Sequence, residues 1–367
     1  MHLQTLSLQN FRSYISLSIA FPPGGALLEG LNGVGKTNIL EGIHMLCTGR
    51  SQRGASRAEM ISHGQEAAFL EGGFCPSSPG GAMATASLGF SRDKKVAMKI
   101  DGEAVGSYSE WFGERPAVSF GTDDLGLVYG APDGRRKFLD MLISQIDRAY
   151  LDALSSYRRA MACRNALLGR TGDPVQFEIY EQAMAESASK IVFRRVGAIE
   201  ELRPAVSEIY GEISNHSEPA AVEYLQKFKC DFSCAQEWQN IYLKSLVERR
   251  PRDAELLYTG VGPHRDDLRF LLGGRAAKAY ASQGQCRSFA LALKLGSVRL
   301  IERHRGGGMI FLVDDAVSEL DHERTSRVYP LLEGRGQIFI ATPKCQFALG
   351  GGVLRCAVED GKVVIAG

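Results

Sequence analysis

No apolar run in the 367 residues approaches the roughly eighteen needed to span a bilayer. Met1, His2 and Leu3 open an alternating pattern without a charged-then-apolar leader. A cytoplasmic protein without a membrane partner is the expectation. Charge imbalance is also missing: 43 basic against 42 acidic residues leave +1. Any contact with nucleic acid must therefore come from local basic patches and not from the net field. The eight cysteines are scattered, and the closest pair, Cys230 and Cys234, has no second pair to complete a zinc site. All eight read as reduced thiols. There is no internal repeat or low-complexity tract, and no heptad series sustained beyond about four repeats, which argues against a disordered scaffold and against long coiled-coil arms. What remains is an ordinary globular composition, 44% hydrophobic and 23% charged, long enough for about two domains.

Against that background one segment is highly specific. Gly30-Leu31-Asn32-Gly33-Val34-Gly35-Lys36-Thr37 matches G-x-x-x-x-G-K-[ST] without a mismatch. It follows the apolar run Ala26, Leu27, Leu28 and precedes Ile39, Leu40, Ile43, Leu46 and Cys47 at helical spacing. A strand, a phosphate-cradling loop and a helix are expected, with backbone N–H groups and the positive helix end directed at a nucleotide's phosphates. Lys36 should reach the β/γ-phosphates of ATP, and the Thr37 hydroxyl should bind Mg²⁺.

The rest of the chain divides by texture. Leu3, Leu6 and Leu8, then Ile15, Leu17, Ile19 and Phe21, read as a hairpin, and a further β-rich region runs over residues 69–100. From residue 134 helical spacing takes over (Leu139, Leu142, Ile143, Ile146; then Leu151, Leu154, Tyr157, Met161), continuing over residues 177–202. After Pro251 strands are expected to return, with Leu268, Phe270 and Leu272 turning at Gly273-Gly274. Next come Ser282-Gln283-Gly284-Gln285 before a helix, then Met309-Ile310-Phe311-Leu312-Val313, an apolar run with the character of a fully buried parallel strand. The expected fold is α/β: a head of residues 1–130 and 252–367, with a mixed sheet around the phosphate loop and an antiparallel β lobe, interrupted by an α-helical domain at 131–251.

The apolar strand ends in Asp314-Asp315. A carboxylate at the sheet edge beside Thr37 is what a phosphate-bound Mg²⁺ requires, which suits Asp314. Asp315 then stands where a general base could orient or deprotonate the attacking water. The plainer reading is two strand-end aspartates at a turn. A last apolar run, residues 338–340, ends at Ala341-Thr342-Pro343, again where a carboxyl edge would meet ligand. By itself Thr342 reads equally as a strand-end cap.

The order phosphate loop, Ser-Gln-Gly-Gln, apolar-Asp-Asp, then Ser318-Glu319-Leu320-Asp321 resembles the ABC-type ATPases. The resemblance implies that Ser282 and Gly284, with Gln285, contact the γ-phosphate held by a second subunit, and that Thr342 senses it. It leaves the superfamily's glutamine loop without a counterpart, because Asp123 and Asp124 occupy that region. Within the superfamily the chain resembles the RecF family of bacterial recombinational repair. Five stretches carry this: Leu8-Gln9-Asn10-Phe11-Arg12-Ser13-Tyr14; Gly30 through Thr37, continuing to Thr48-Gly49-Arg50-Ser51; Asp124-Leu125 with Val128 and Gly130 into Arg135-Arg136-Lys137-Phe138-Leu139-Asp140; Thr259 to Leu268, containing Gly262-Pro263-His264-Arg265-Asp266-Asp267; and the Ser282 signature with Asp314 to Asp321. This implies a weak Mg²⁺-dependent ATPase and a homodimer formed on ATP. It also implies binding to DNA at single-strand gaps or single/double-strand junctions, RecR and RecO-type partners that load the recombinase, and support of replication restart and SOS induction. The other classes considered are a chromosome-organising ATPase of the SMC type and the ATP-hydrolysing subunit of a transporter.

Other residues carry two readings each. Arg135-Arg136-Lys137, Arg158-Arg159, Arg194-Arg195 and Arg249-Arg250 with Arg252 are DNA-phosphate candidates or solvated helix faces. Arg50, Arg53 and Arg265 fall on loops near the ligand edge. His264 either contributes there or fixes the turn at Pro263. Trp111 and Trp238 read as packing residues.

Overall fold

The computed structural model describes residues 1–76, 81–169, 174–215, 218–228, 235–314, 330–343, 350, 352–359 and 361–365. Strands β1 (His2–Phe11) and β2 (Tyr14–Ala20) form the expected antiparallel hairpin. A register shift between Leu3 and Thr5 adds a residue to β1 and keeps Leu3 on the buried face with Leu6 and Leu8 despite the odd spacing. Then follow β3 (Gly25–Glu29), α1 (Lys36–Thr48), α2 (Arg57–Met60), β4 (Ala67–Cys75), β5 (Ala84–Ser91), β6 (Val96–Ile100), β7 (Glu103–Ala104), α3 (Tyr108–Trp111) and β8 (Ala117–Gly121). The middle of the chain supplies α4 (Leu125–Tyr129), α5 (Pro132–Ile146), α6 (Arg148–Leu168), α7 (Pro174–Ser214), β9 (Ala220–Leu225), α8 (Ala235–Leu256), β10 (Asp267–Leu272), β11 (Arg275–Ala276) and α9 (Ala277–Tyr280). The last elements are α10 (Gln283–Arg305), β12 (Met309–Asp314), β13 (Gly336–Thr342), β14 (Leu354–Glu359) and β15 (Lys362–Ile365).

Contacts group these elements into two compact units, Met1–Asp124 with Ile301–Gly367, and Leu125–Leu300. In the first unit an antiparallel sheet, order β2-β1-β4-β5-β6-β7, accompanies a mixed sheet, order β15-β14-β3-β13-β12-β8. Every neighbour pair of the mixed sheet from β14 to β8 is parallel, and β15 alone runs antiparallel. Helix α1 touches strands of both sheets and buries Ile39, Leu40, Gly42, Ile43, Met45, Leu46 and Cys47. A helix apolar on all sides belongs in an interior, and here it fills the space between two sheets. One side chain bonds the sheets directly. Buried Gln337 of β13 accepts from the Leu3 N–H at 2.7 Å and donates to the carbonyls of Leu3 and Pro22 at 2.8 and 2.9 Å, standing in for a strand's backbone.

The second unit packs α6 against α7 and α7 against α8, beside a small sheet of order β11-β10-β9. Gly296 of α10 lets that helix approach α7 closely: a Cβ there would lie 3.0 Å from Val206 Cγ2. Two expectations are corrected. Residues 134–248 are not uniformly helical, since Ala220–Leu225 is a strand whose Val222 pairs with Phe270. Nor do helices stop at Pro251, which lies inside α8. The N–H that Pro251 lacks would have gone to the carbonyl of Val247, a residue 45% exposed, where solvent can satisfy it. The seam expected at 251/252 falls inside the second unit, because β10 pairs with β9 and α10 packs on α7.

Candidate nucleotide-binding site

Strand β3 delivers the chain to the carboxyl edge of the mixed sheet with Ala26, Leu27 and Leu28 fully buried. The loop then turns back into α1 at Gly35, whose φ of 113° is a left-handed value that suits glycine. A Cβ on Gly35 would also stand 2.8 Å from Tyr14 Oη and 2.9 Å from Ser13 Oγ. No side chain caps α1 and its first turn holds no acid, so the positive helix end is left for an anion. Lys36 folds back over the loop, its Nζ donating to the carbonyls of Gly30 and Leu31 at 2.8 Å each. Asn32 and Gly33 are exposed, and Leu31 is 79% exposed.

Asp314 ends β12 in register with Gly121 of β8 and Ala341 of β13. The Thr37 hydroxyl donates to Asp314 Oδ1 at 2.7 Å, joining residues 277 positions apart. Thr342 ends β13 one row further on, opposite Glu29 of β3. Arg53 Nη2 reaches to 3.9 Å from Asp314 Oδ2. A hydroxyl and a carboxylate oxygen at contact distance are the hard donors a divalent cation takes, so the residues present fit Mg²⁺. Asp315 and Ser318-Glu319-Leu320-Asp321 lie outside the described residues.

Ser282, Gly284 and Gln285 lie at the start of α10, in the second unit. The Ser282 N–H donates to Gln285 Oε1 at 2.7 Å, and the Gln285 N–H donates to Ser282 Oγ at 3.2 Å. This is a reciprocal capping box. Gln285 Nε2 donates in turn to Glu218 Oε1 at 2.6 Å, so both ends of that amide are engaged within the chain. The Ser282 hydroxyl keeps its own proton to donate.

Sequence reasoning missed the supports of the loop. Glu41, with a fully buried side chain, sits one turn beyond Thr37 and accepts from Arg12 Nε at 2.8 Å, Arg12 Nη2 at 3.0 Å and Ser51 Oγ at 2.5 Å. At the same hairpin tip Ser13 Oγ accepts from Asn38 Nδ2 at 2.9 Å, and the Tyr14 hydroxyl donates to the Gly35 carbonyl at 3.2 Å. Burial pushes the Tyr14 phenol up to about 12, which keeps it a donor. The available signal was an acid at Glu41 among apolar helix positions.

The basic clusters are mostly engaged within the fold. Arg135 makes a two-pronged pair with Asp267, and Arg136 donates to the Asp266 carbonyl. Arg158 and Arg195 bond Asp140, Arg194 pairs with Asp147, and Arg250 pairs with Glu181. His264 fixes its turn: Nε2 donates to the Thr259 carbonyl at 2.9 Å, which can only accept, so Nδ1 accepts from the Tyr157 hydroxyl at 2.6 Å. Burial holds this ring neutral, with its pKa pushed down to about 4. Trp111 and Trp238 are fully buried packing residues.

A phosphate loop off the middle of a parallel sheet, an acid on the strand two places away and a second, antiparallel sheet against the loop helix define an ABC-type nucleotide-binding head. The chain belongs to the family described as the RecF/RecN/SMC N terminal domain, whose model matches residues 2–351, and within it to the RecF proteins. It is 35% identical to the DNA replication and repair protein RecF of Heliobacterium modesticaldum over 93% of this chain and 92% of that one. With the RecF of Chlorobium luteolum the identity is 33% over 93% and 94%. Among solved structures it resembles the recombination mediator protein RecF with ATP, of the RecFOR pathway, at a TM-score of 0.92 and 30% identity, covering 100% of this chain and 98% of that one. An Smc head bound to the C-winged helix domain of ScpA matches at a TM-score of 0.56 and 16% identity, a likeness of fold alone.

Proposed function

We propose that the chain is an ATP-dependent DNA-binding protein of cytoplasmic recombinational repair, whose ATP-bound homodimer engages single-strand gaps or junctions and works with RecO and RecR-type mediators to load a recombinase. In this reading residues 1–130 and 252–367 act as the ATPase head and 131–251 as its helical insertion, although residues 252–300 pack in one compact unit with that insertion. The observation that carries it is the bond between Thr37 and Asp314 at the mouth of the phosphate loop, in a chain that belongs to the RecF proteins.

The residues divide the work by chemistry. Lys36 exchanges the Gly30 and Leu31 carbonyls for phosphate oxygens, a charge-assisted replacement for two neutral acceptors. Thr37 and Asp314 would hold Mg²⁺, which would supply charge neutralisation at the phosphates. Asp315 orients or deprotonates the attacking water, and Thr342 senses the γ-phosphate from the end of β13. Ser282 and Gly284 supply a second helix N-terminus, completed on the partner subunit's nucleotide. ATP then acts by population shift, stabilising the dimer that holds DNA until hydrolysis removes the γ-phosphate contact. Among the described residues no helix is long and apolar enough to cross a membrane.

The test is ATP hydrolysis with and without gapped DNA, for the wild type and Asp315→Asn. Slow Mg²⁺-dependent turnover that responds to DNA and is lost in the variant is expected. Turnover unchanged in Asp315→Asn removes the general-base assignment, and a wild type that neither binds DNA nor hydrolyses ATP removes the whole reading.

A further inference from the structure

The Gly-Pro-His-Arg-Asp-Asp stretch lies in the second unit and is closely framed by its neighbours. A Cβ on Gly262, at a φ of 134°, would lie 2.1 Å from Tyr157 Oη, so that close approach of backbone to ring needs glycine. His264 ties the turn to Thr259 and Tyr157. Thr259 is itself held by Asn165 Oδ1, which accepts from its N–H at 2.9 Å and its hydroxyl at 2.7 Å. This frame borders an open, solvent-facing cavity of about 470 Å³ lined by Met161, Asn165, Tyr258, Thr259, His264 and Arg265.

Two features of the cavity are unspent. The Arg265 guanidinium lies over the Tyr258 ring, 4.9 Å from its centroid. Among the described residues it has no ion-pair or hydrogen-bond partner, whereas Arg135, Arg136, Arg158, Arg194, Arg195 and Arg250 are all engaged. Tyr258 is 41% exposed and follows Leu257, which is 60% exposed and held at a left-handed φ of 59°. An apolar residue held in sparsely populated backbone and turned to solvent beside a partly exposed aromatic ring is the kind of outlier that points to a functional contact.

We propose that this cavity is a docking site for one nucleotide of single-stranded DNA, its base against Tyr258 and Met161 and its phosphodiester on Arg265. The inference rests on the chain being a DNA-binding protein and names where an unpaired strand would touch it. An aromatic face with a stacked guanidinium over an apolar floor fits a planar base beside a phosphate, the combination that single-strand binding surfaces use. An acidic peptide would use the cation and leave the ring idle.

The experiment is fluorescence anisotropy of a labelled oligothymidylate with the full chain, with ATP affinity and the unfolding midpoint measured beside it to show that each variant is folded. Tyr258→Ala should weaken binding by about tenfold or more, while Tyr258→Phe keeps it. Arg265→Ala should lower the slope of log affinity against log salt by about one. Wild-type binding that survives Tyr258→Ala and Arg265→Ala with an unchanged salt slope overturns the site while leaving the DNA-binding function standing. A wild type that binds no DNA overturns both. Variants that keep DNA but lose affinity for polyglutamate identify an acidic peptide as the occupant and overturn the nucleotide assignment.

Discussion

Replacing Arg164 with methionine should cost the helical unit about 3 kcal/mol, the lower end of what removing one partner of a buried ion pair costs. Arg164 is fully buried and bonds four groups: Glu181 at 3.1 Å, Asp253 at 2.9 Å, the Thr259 hydroxyl at 2.8 Å and the Leu246 carbonyl at 3.1 Å. Both carboxylates have fully buried side chains, so neither regains water when the cation leaves. The loss stays at the low end because each acid keeps a second arginine, Arg250 at 2.6 Å from Glu181 and Arg249 at 3.6 Å from Asp253. Urea unfolding followed by circular dichroism, with buried Trp238 of α8 as a local fluorophore, reads the cost. Removing the acids as well, in Arg164→Met with Glu181→Leu and Asp253→Leu, should recover much of it, since buried ion networks exchange for apolar groups at little loss. A single variant less than about 1 kcal/mol below wild type refutes the idea that this cation neutralises the interior.

Four other outcomes follow from other parts of the structure. A histidine held near 4 where the unfolded chain has about 6.5 contributes about 3 kcal/mol that is fully present above pH 6.5 and disappears as pH falls toward 4. The deficit of His264→Gln relative to wild type should therefore shrink by about 3 kcal/mol between pH 7 and pH 4, and a deficit independent of pH contradicts a neutral His264. Asp266, raised by burial to about 6, runs the other way, since its penalty is relieved by acid, so Asp266→Asn should gain on wild type at neutral pH. Gln337→Leu strands the N–H and carbonyl of Leu3, while the Pro22 carbonyl keeps the Gly25 N–H. A loss of about 2–4 kcal/mol is expected by calorimetry, and an unchanged midpoint counts against the amide as a bond between the sheets. Gly35→Ala forces a Cβ against Tyr14 and Ser13 at a left-handed φ. Titration with a fluorescent ATP analogue should show a loss of about tenfold to a hundredfold from strain of about 1–3 kcal/mol, and wild-type affinity speaks against the loop geometry.

Much of the first unit could be read in advance because local pattern and tertiary role agree there. Alternation in β2, the glycines of residues 30–35 and the unbroken apolar run of β12 each allow one structure. The second unit hid more. Ala220–Leu225 is a strand because β10 offers it a partner, and nothing in its six residues demands that. Pro251 suggested a stop, but the exposed face of α8 tolerates a missing donor. Strands β14 and β15 are short and become strands by pairing beside β3. Arginine clusters allowed a DNA surface or solvated helix faces until their carboxylate partners came into view, from residues as remote in sequence as Arg135 and Asp267. The same limit hid Glu41, whose meaning depends on Arg12 and Ser51 folding onto it.

Sedimentation velocity of the full chain with ATP and Mg²⁺ tests the composite site most directly. The wild type should sediment as a dimer with ATP and as a monomer without nucleotide, and both Lys36→Arg and Ser282→Arg should remain monomeric. A Ser282→Arg variant that dimerises on ATP like the wild type, while Lys36→Arg does not, contradicts a γ-phosphate shared between the phosphate loop of one subunit and the α10 start of the other.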